Sequence, residues 1–133
     1  MSSHVRNVCV IEDDRSFLSA IMRLIRMDGY SVLGVSSLEE FRNLLPLKEE
    51  TCVVTDIMLS GESGLDVPAI LHEARQVAPV IFISATDDRS LIKAVSALSR
   101  SPVLRKPIEA EKLFDALRQA KPIDRQVKIQ SDP

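Results

Sequence analysis

The sequence predicts an α/β fold in which five strands form a doubly wound parallel sheet and five helices cover its faces. Short apolar runs alternate with stretches of helical periodicity along the 133 residues. The runs are continuously apolar, as expected for strands that are buried on both faces. The length suits one domain with a core of its own and is too short for two domains of ordinary size.

Each predicted strand is an apolar run bounded by polar or turn-forming residues. The five runs are VCVIE (8–12), YSVLGV (30–35), CVVTD (52–56), PVIFISA (79–85) and PVLRK (102–106). The fourth run is the most hydrophobic, and the fifth is short.

Each predicted helix follows a strand, at 16–27, 37–45, 64–74, 88–98 and 109–120. Asp14 is placed to cap the first helix, and Ser37 with Glu40 has capping-box spacing at the second. The third helix contains Pro68, which is tolerated in the first turns. The apolar stripes are Phe17, Ile21, Leu24 and Ile25 in the first helix, Leu38, Phe41 and Leu45 in the second, and Leu91, Ile92, Val95 and Leu98 in the fourth.

The composition excludes several classes of function. With 17 basic and 19 acidic residues, the net charge of -2 offers no electrostatic footprint for nucleic acid or an anionic membrane. The N-terminus is polar and the longest apolar run is too short to span a bilayer, so we expect a cytoplasmic protein. Cys9 and Cys52 lie within strand runs and are expected to be buried, reduced thiols.

Polar residues stand where the predicted strands end. They are Glu12, Asp13 and Asp14 after the first strand, Asp56 at the end of the third, Ser84 and then Thr86 at the fourth, and Lys106 followed by Pro107 at the fifth. In a doubly wound sheet the carboxyl ends of the strands line one crevice near the point where the strand order reverses. We therefore expect acids, a hydroxyl and one lysine to converge there.

These residue types suggest phosphoryl chemistry. Carboxylates gathered in one crevice repel one another unless a cation lies among them, and an oxygen-rich pocket of this kind suits Mg²⁺. The Asp56 carboxylate is then a candidate nucleophile for a phosphoryl group. Lys106 would pair with the arriving charge, and the Ser84 hydroxyl would donate to a phosphoryl oxygen. Gly61 and Gly64 let the backbone turn sharply beside the site.

Four segments in order resemble the receiver domain of two-component response regulators. They are VIEDD after the first strand, VVTDIMLSGESGLD around Asp56, VIFISAT at the fourth strand and RKP after the fifth. The resemblance covers about residues 6–120. It implies a flavodoxin-like sheet with the strand order 2-1-3-4-5. We expect the domain at 5–121, followed at 122–133 by a polar tail or the start of a linker to an output domain.

The resemblance also implies a role for each residue that matches the family pattern. Asp56 is implied to be the phosphoacceptor, with Lys106 and Ser84 as its catalytic partners and Ser84 also as the switch hydroxyl. The implied Mg²⁺ ligands are Glu12, Asp13, Asp56 and the main-chain carbonyl of Met58. Pro107 is implied to be a cis proline after Lys106.

Three features depart from the family pattern. Ser60 stands four residues after the acceptor, where the family usually has proline. The segment LSRSP (98–102) lacks the usual glycine before the fifth strand. Val103 occupies the position of the switch aromatic and cannot report phosphorylation by the inward turn of a ring. We expect the phosphoryl chemistry to survive these changes and the output mechanism to differ.

The expected function is a phosphorylation-dependent switch. A sensor histidine kinase or a histidine phosphotransfer protein would supply the phosphoryl group. The chain would catalyse its own phosphorylation and slow dephosphorylation, and would not turn over a metabolite. Phosphorylation would alter a partner-binding face on the fourth helix, fifth strand and fifth helix, which is also a candidate dimerisation face. The apolar residues that could belong to that face or to the core are Leu104, Leu113, Phe114 and Leu117.

Two other classes of function remain open at this stage. A receiver-like module could bind a partner through the same face without phosphate. Ser60 and Val103 favour this alternative. The complete set of acidic residues, Asp56 and Lys106 argues against it. A Mg²⁺-dependent phosphatase or phosphotransferase acting on a small molecule would need a substrate cap, and the sequence contains no insertion long enough to form one.

Overall fold

Strands and helices alternate along the chain in the computed structural model, which describes residues 4–85, 89–98 and 103–120. The strands are β1 (Asn7–Ile11), β2 (Ser31–Val35), β3 (Thr51–Asp56), β4 (Met58–Leu59), β5 (Glu62–Ser63), β6 (Val80–Ser84) and β7 (Leu104–Arg105). The α-helices are α1 (Arg15–Met27), α2 (Leu38–Leu44), α3 (Val67–Glu73), α4 (Arg89–Leu98) and α5 (Ala110–Gln119). A 3₁₀ turn at Gly64–Asp66 leads into α3.

Five of the strands form one parallel sheet in the order β2-β1-β3-β6-β7. This is the predicted order 2-1-3-4-5, because β4 and β5 pair with each other in a separate antiparallel hairpin. The strand order reverses at β1, whose neighbours are β2 on one side and β3 on the other. The predicted fold class is therefore confirmed, and a crevice is expected at the carboxyl ends of β1 and β3.

Three local features differ from the predicted elements. The β4–β5 hairpin was not predicted, because two-residue strands are too short to show a periodic pattern. The third helix becomes α-helical only at Val67, with Pro68 in its first turn. The last strand is ordered in the sheet only over Leu104–Arg105 among the residues described there.

Apolar side chains fill both faces of the sheet. One face packs against α1 and α5 around Ile25, Leu113 and Leu117, which are all at most 1% exposed. The other face packs against α2 and α3. All six residues of β3 are buried, so the strand that carries Asp56 runs through the centre of the fold.

The four apolar residues left open between the core and the partner-binding face all lie in or against the core. Leu104, Leu113 and Leu117 are buried in the core, and Phe114 is partly buried against the same cluster.

Cys9 and Cys52 are buried free thiols, as predicted. No α-helix in the described part of the chain combines the length and the apolar character that a membrane crossing requires.

The helix starts near the crevice are fixed by side-chain caps. Asp14 Oδ1 accepts a hydrogen bond of 3.1 Å from Phe17 N and so caps α1, as predicted. Ser37 Oγ accepts from Glu40 N at α2. The Glu40 carboxylate does not complete a capping box, because it accepts from the backbone and hydroxyl of Ser36 instead.

Candidate functional site

The carboxyl ends of the central strands bring the predicted polar residues to one edge. Glu12 follows β1, Asp56 ends β3, Ser84 ends β6 and Lys106 follows β7. The parallel pairing keeps these ends aligned, with Asp56 opposite Ile83 and Ser84 opposite Arg105. The sheet itself therefore assembles the site from segments that are far apart in sequence.

Lys106 links the two most buried carboxylates of this edge. Its Nζ atom lies 2.9 Å from Glu12 Oε1 and 2.8 Å from Asp56 Oδ2. The same atom lies 4.3 Å from the centre of the Phe17 ring, a distance at which a cation is attracted to an aromatic face. The Lys106 backbone N–H donates to Ser84 O at 2.9 Å. Lys106 is thus a partnered residue of the site and not a solvated surface lysine.

The peptide bond after Lys106 and the hydroxyl at the end of β6 complete this side of the site. The Lys106–Pro107 bond, which the resemblance implies is cis, is cis. Ser84 is 1% exposed. Thr86, which follows in the sequence, lies outside the described residues.

Asp56 is held on both carboxylate oxygens. Oδ1 accepts a hydrogen bond of 3.0 Å from Met58 N, and Oδ2 faces Lys106. Asp56 is 5% exposed, so its charge depends on these partners and not on bulk water. The Thr55 hydroxyl donates to the Asp56 carbonyl oxygen at 3.0 Å, which also fixes the backbone of the residue.

Glycine is required beside Asp56 for a steric reason. A Cβ atom built on Gly64 would overlap the Asp56 carbonyl oxygen and lie 2.8 Å from Thr55 Oγ1. The Gly64 N–H donates to Ile57 O at 2.8 Å, which holds the two backbone segments together. The chain after the β4–β5 hairpin therefore packs directly on the backbone of Asp56.

Three carboxylates are close enough to share a cation. Glu12, Asp13 and Asp56 each offer one oxygen, and these oxygens all lie within 4.8 Å of one another. Oxygen donors alone suit a hard cation such as Mg²⁺. Three carboxylates and the Lys106 ammonium leave two formal negative charges, which a divalent cation would balance. The donor set therefore fits the predicted metal.

Burial and charge act against each other on the two inner groups. Burial raises the pKa of Glu12 above its ordinary value, although hydrogen bonds from Asp14 N and Lys106 oppose the rise. Burial alone would lower the pKa of Lys106, but its hydrogen bonds and charge attraction to Asp56 and Glu12 outweigh this and raise the pKa. Lys106 is consequently held as a cation within the site.

Asp13 is held from the hairpin side. Its Oδ2 atom accepts two hydrogen bonds from Ser60, of 2.8 Å from the backbone N–H and 2.5 Å from the hydroxyl. The hydroxyl contact is the main reason that the pKa of Asp13 lies below its ordinary value. Asp13 is partly buried and Ser60 is exposed, so this contact lies at the mouth of the site.

The side chains of two predicted residues make no contact with the carboxylates among the contacts that the structure gives. The Met58 side chain is 68% exposed, and the contact that the structure gives is its backbone N–H to Asp56. Val103 is half-buried and packs with a small apolar cluster that includes Ile57, Phe82 and Val95. Val103 therefore serves as a packing residue between β6 and α4.

Two contacts of the site escaped prediction from the sequence. Ser60 was noted only as a departure from the family pattern, and Phe17 only as an apolar residue of the first helix. The polar character of Ser60, a hydrogen-bond donor four residues after Asp56, was a usable signal. The contact between Phe17 and Lys106 had no local signal, because an apolar helical stripe looks the same whether or not a cation lies over it.

Comparison with known proteins gives the family. The sequence model described as the response regulator receiver domain matches residues 8–118. The response regulator protein TodT of Pseudomonas putida is 34% identical over 122 residues, which cover 90% of this chain and 53% of TodT. The positive alginate biosynthesis regulatory protein of Pseudomonas aeruginosa is 33% identical over 117 residues, which cover 86% of this chain and 46% of that protein. The chain thus spans about half the length of the curated relatives that it matches.

A solved structure agrees with the fold and the family. A crystal structure of a response regulator receiver domain protein from Clostridium thermocellum superimposes with a TM-score of 0.73 at 27% identity. The superposition covers 85% of this chain and 91% of that one. With the family model matched from 8 to 118 and the strand order described above, this chain belongs to the response regulator receiver domain family.

Proposed function

We propose that Asp56 accepts a phosphoryl group and that the chain is switched by this modification. Receiver domains take phosphoryl groups from histidine kinases, and a sensor histidine kinase or a histidine phosphotransfer protein is the proposed donor here. The observation that carries the proposal is the contact of Lys106 Nζ with both Asp56 and Glu12, beside three carboxylates that fit a divalent cation.

The proposed reaction is a displacement at phosphorus. An Asp56 carboxylate oxygen forms a bond to phosphorus while the bond from phosphorus to the donor imidazole nitrogen breaks, and the nitrogen keeps the electron pair and takes a proton from solvent. Lys106 would stabilise the charge on the phosphoryl oxygens. The hydrogen bond that Met58 N–H donates to Asp56 Oδ1 would orient the carboxylate before it attacks phosphorus. Dephosphorylation is a separate displacement: a water oxygen forms a bond to phosphorus, the bond from phosphorus to the Asp56 oxygen breaks, and inorganic phosphate and the free carboxylate are released while the proton of the water passes to solvent.

Mg²⁺ is proposed to be held by carboxylate oxygens of Glu12, Asp13 and Asp56, together with the Met58 carbonyl. When bound, it would neutralise charge on the phosphoryl oxygens. Ser84 is proposed as the switch hydroxyl, which hydrogen-bonds the phosphoryl group. Its place at the end of β6, next to the backbone of Lys106, supports this role.

The proposed domain spans residues 5–121. Its support is that Val5 and Ala120 are buried in the same core cluster, at 5% and 4% exposure. Residues 122–133 lie outside the described residues and remain a proposed tail or linker. A cytoplasmic location is part of the same proposal, and the buried free thiols of Cys9 and Cys52 suit a reducing compartment.

The proposed output face consists of α4, β7 and α5. Apolar residues of this region lie in the core. The side chains exposed on its surface are polar and include Lys93, Arg105 and Glu111. We propose that phosphorylation changes partner binding or dimerisation through this face. Sedimentation of the chain with and without phosphorylation would test dimerisation, and an unchanged monomer in both states would contradict that part of the proposal.

Intact mass measurement tests the acceptor directly. The chain is incubated with Mg²⁺ and a small acyl phosphate, alongside Asp56→Asn, which keeps the shape of the side chain and loses the nucleophile. One phosphoryl adduct on the wild type, absent from the variant and from a sample with chelator, is the expected result. Absence of an adduct with both the acyl phosphate and a phosphohistidine protein would overturn the proposal and favour a phosphate-independent binding module.

A further inference from the structure

Ser60 makes a contact with Asp13 that the residue usual at this position in the family could not make. Proline has neither a backbone N–H nor a hydroxyl, whereas Ser60 uses both groups to donate to Asp13 Oδ2, at 2.8 Å and 2.5 Å. The contact joins the loop after β1 to the β4–β5 hairpin, across 47 positions of sequence. The contact therefore links two segments of the site and does not only stabilise the local turn that contains Ser60.

The contact leaves Asp13 able to bind a cation. A carboxylate has two oxygens with about four lone-pair positions in all, so two hydrogen bonds on Oδ2 leave Oδ1 available. Asp13 is only partly buried, and without partners its side chain would exchange between rotamers. The hairpin that carries Ser60 is also held on its other strand, where Glu62 Oε2 accepts from Leu38 N at 3.2 Å. Ser60 is thus a donor on an anchored segment.

We propose that Ser60 is a positioning residue that orients Asp13 and strengthens the binding of Mg²⁺ at the acidic cluster. The inference rests on the proposed function, because it concerns the metal site of the same reaction. Hydrogen-bond donors to a ligating carboxylate fix its orientation, and their loss typically weakens metal binding about 10- to 100-fold. Because Ser60 is exposed and keeps its N–H after truncation, we expect Ser60→Ala to fall near the low end of this range.

The test is a Mg²⁺ titration of the unphosphorylated chain, followed by the amide signals of Asp13 and Asp56 in two-dimensional NMR. The expected dissociation constant rises about 10-fold in Ser60→Ala and rises further in Ser60→Pro, which lacks both donors. In Ser60→Thr, which keeps both donors, it stays at the wild-type value. The matched control is Ser36→Ala. Ser36 also donates its N–H and its hydroxyl to one carboxylate oxygen, Glu40 Oε1, at 2.7 Å and 2.9 Å, and neither residue belongs to the acidic cluster. Ser36→Ala should leave the dissociation constant unchanged.

The outcomes separate this inference from the proposed function. If the wild type binds Mg²⁺ and Ser60→Ala binds it equally well or more tightly, Ser60 does not position Asp13 and the inference is wrong. If the wild type does not bind Mg²⁺, the metal site of the proposed function fails, and the inference fails with it. Thermal unfolding of each variant shows whether a change in affinity follows from a loss of folded protein. Since Ser60→Thr keeps both donors, its recovery distinguishes positioning from a general effect on the hairpin.

Discussion

Replacing Gly64 by alanine should damage both the stability and the chemistry of the site, for one steric reason. The added methyl group would overlap the Asp56 carbonyl oxygen and lie 2.8 Å from Thr55 Oγ1. Both neighbours belong to β3, which is buried along its whole length, so neither can move without disturbing the centre of the sheet. The backbone segments at Gly64 and Asp56 must therefore separate.

The free energy of unfolding should fall by about 2–4 kcal/mol. An added methyl group in a closely packed site costs about 1–3 kcal/mol. Separation also weakens the hydrogen bonds from Gly64 N to Ile57 O and from Thr55 Oγ1 to Asp56 O, each of which contributes about 1 kcal/mol. Because a displacement of about 1 Å at a reacting group can reduce the rate roughly 10²-fold, phosphorylation of the folded variant should be strongly slowed.

Urea denaturation and the rate of phosphorylation by an acyl phosphate measure the two effects. Gly61→Ala is the matched control, because Gly61 has a φ of +70° and open space around its Cβ position. Its substitution should introduce backbone strain of about 1–2 kcal/mol and leave the phosphorylation rate of the folded protein near the wild-type value. A Gly64→Ala protein as stable as the wild type would refute the steric reasoning, whatever its phosphorylation rate.

Three further substitutions or conditions give sharp expectations. Phe17→Leu removes the ring beneath Lys106 Nζ and should slow phosphorylation about 3- to 10-fold. Phe17→Tyr keeps a ring and should not slow it. Equal phosphorylation rates in the wild type and both variants would exclude a role for the ring. Val103→Ala should lower the free energy of unfolding by about 1 kcal/mol and leave the phosphorylation rate within about twofold of the wild-type rate. A large loss of phosphorylation rate would contradict a purely packing role for Val103. Burial raises the pKa of Cys9 from 9.0 to about 12, so the folded state binds more protons than the unfolded state between these values. The free energy of unfolding should therefore fall as pH rises above about 9, by up to about 1.4 kcal/mol per pH unit from this thiol, and a Cys9→Ala variant with the same alkaline slope would refute the assignment.

The sequence was sufficient to predict the fold and the main residues of the site because both depend on simple patterns. Continuous apolar runs between amphipathic stretches predict a parallel sheet, and the sheet then places strand ends together. Asp56 and Lys106 directly follow or end such runs, so their meeting could be predicted from their positions alone. The prediction required no knowledge of side-chain conformation.

The remaining contacts depend on conformations that no local pattern encodes. The position of Ser60 over Asp13 depends on the β4–β5 hairpin, whose strands have two residues each. The restriction at Gly64 depends on how closely that hairpin returns to the backbone of Asp56. Glycine and serine in a loop are compatible with many turns, so their roles become visible only when the turn is known.

The contacts of Lys106 also limit how a phosphoryl group could change the protein. In the unphosphorylated chain the ammonium group is shared by Asp56 Oδ2 and Glu12 Oε1. A phosphoryl group on Asp56 would add strong acceptor oxygens, and we expect Nζ to exchange its contact with the carboxylate for one with the phosphoryl group. The Lys106 backbone is bonded to Ser84 O, and Val103 packs against the cluster that contains Val95 of α4. Because the valine has no ring to rotate, a rotating aromatic side chain at this position cannot carry such a change to α4.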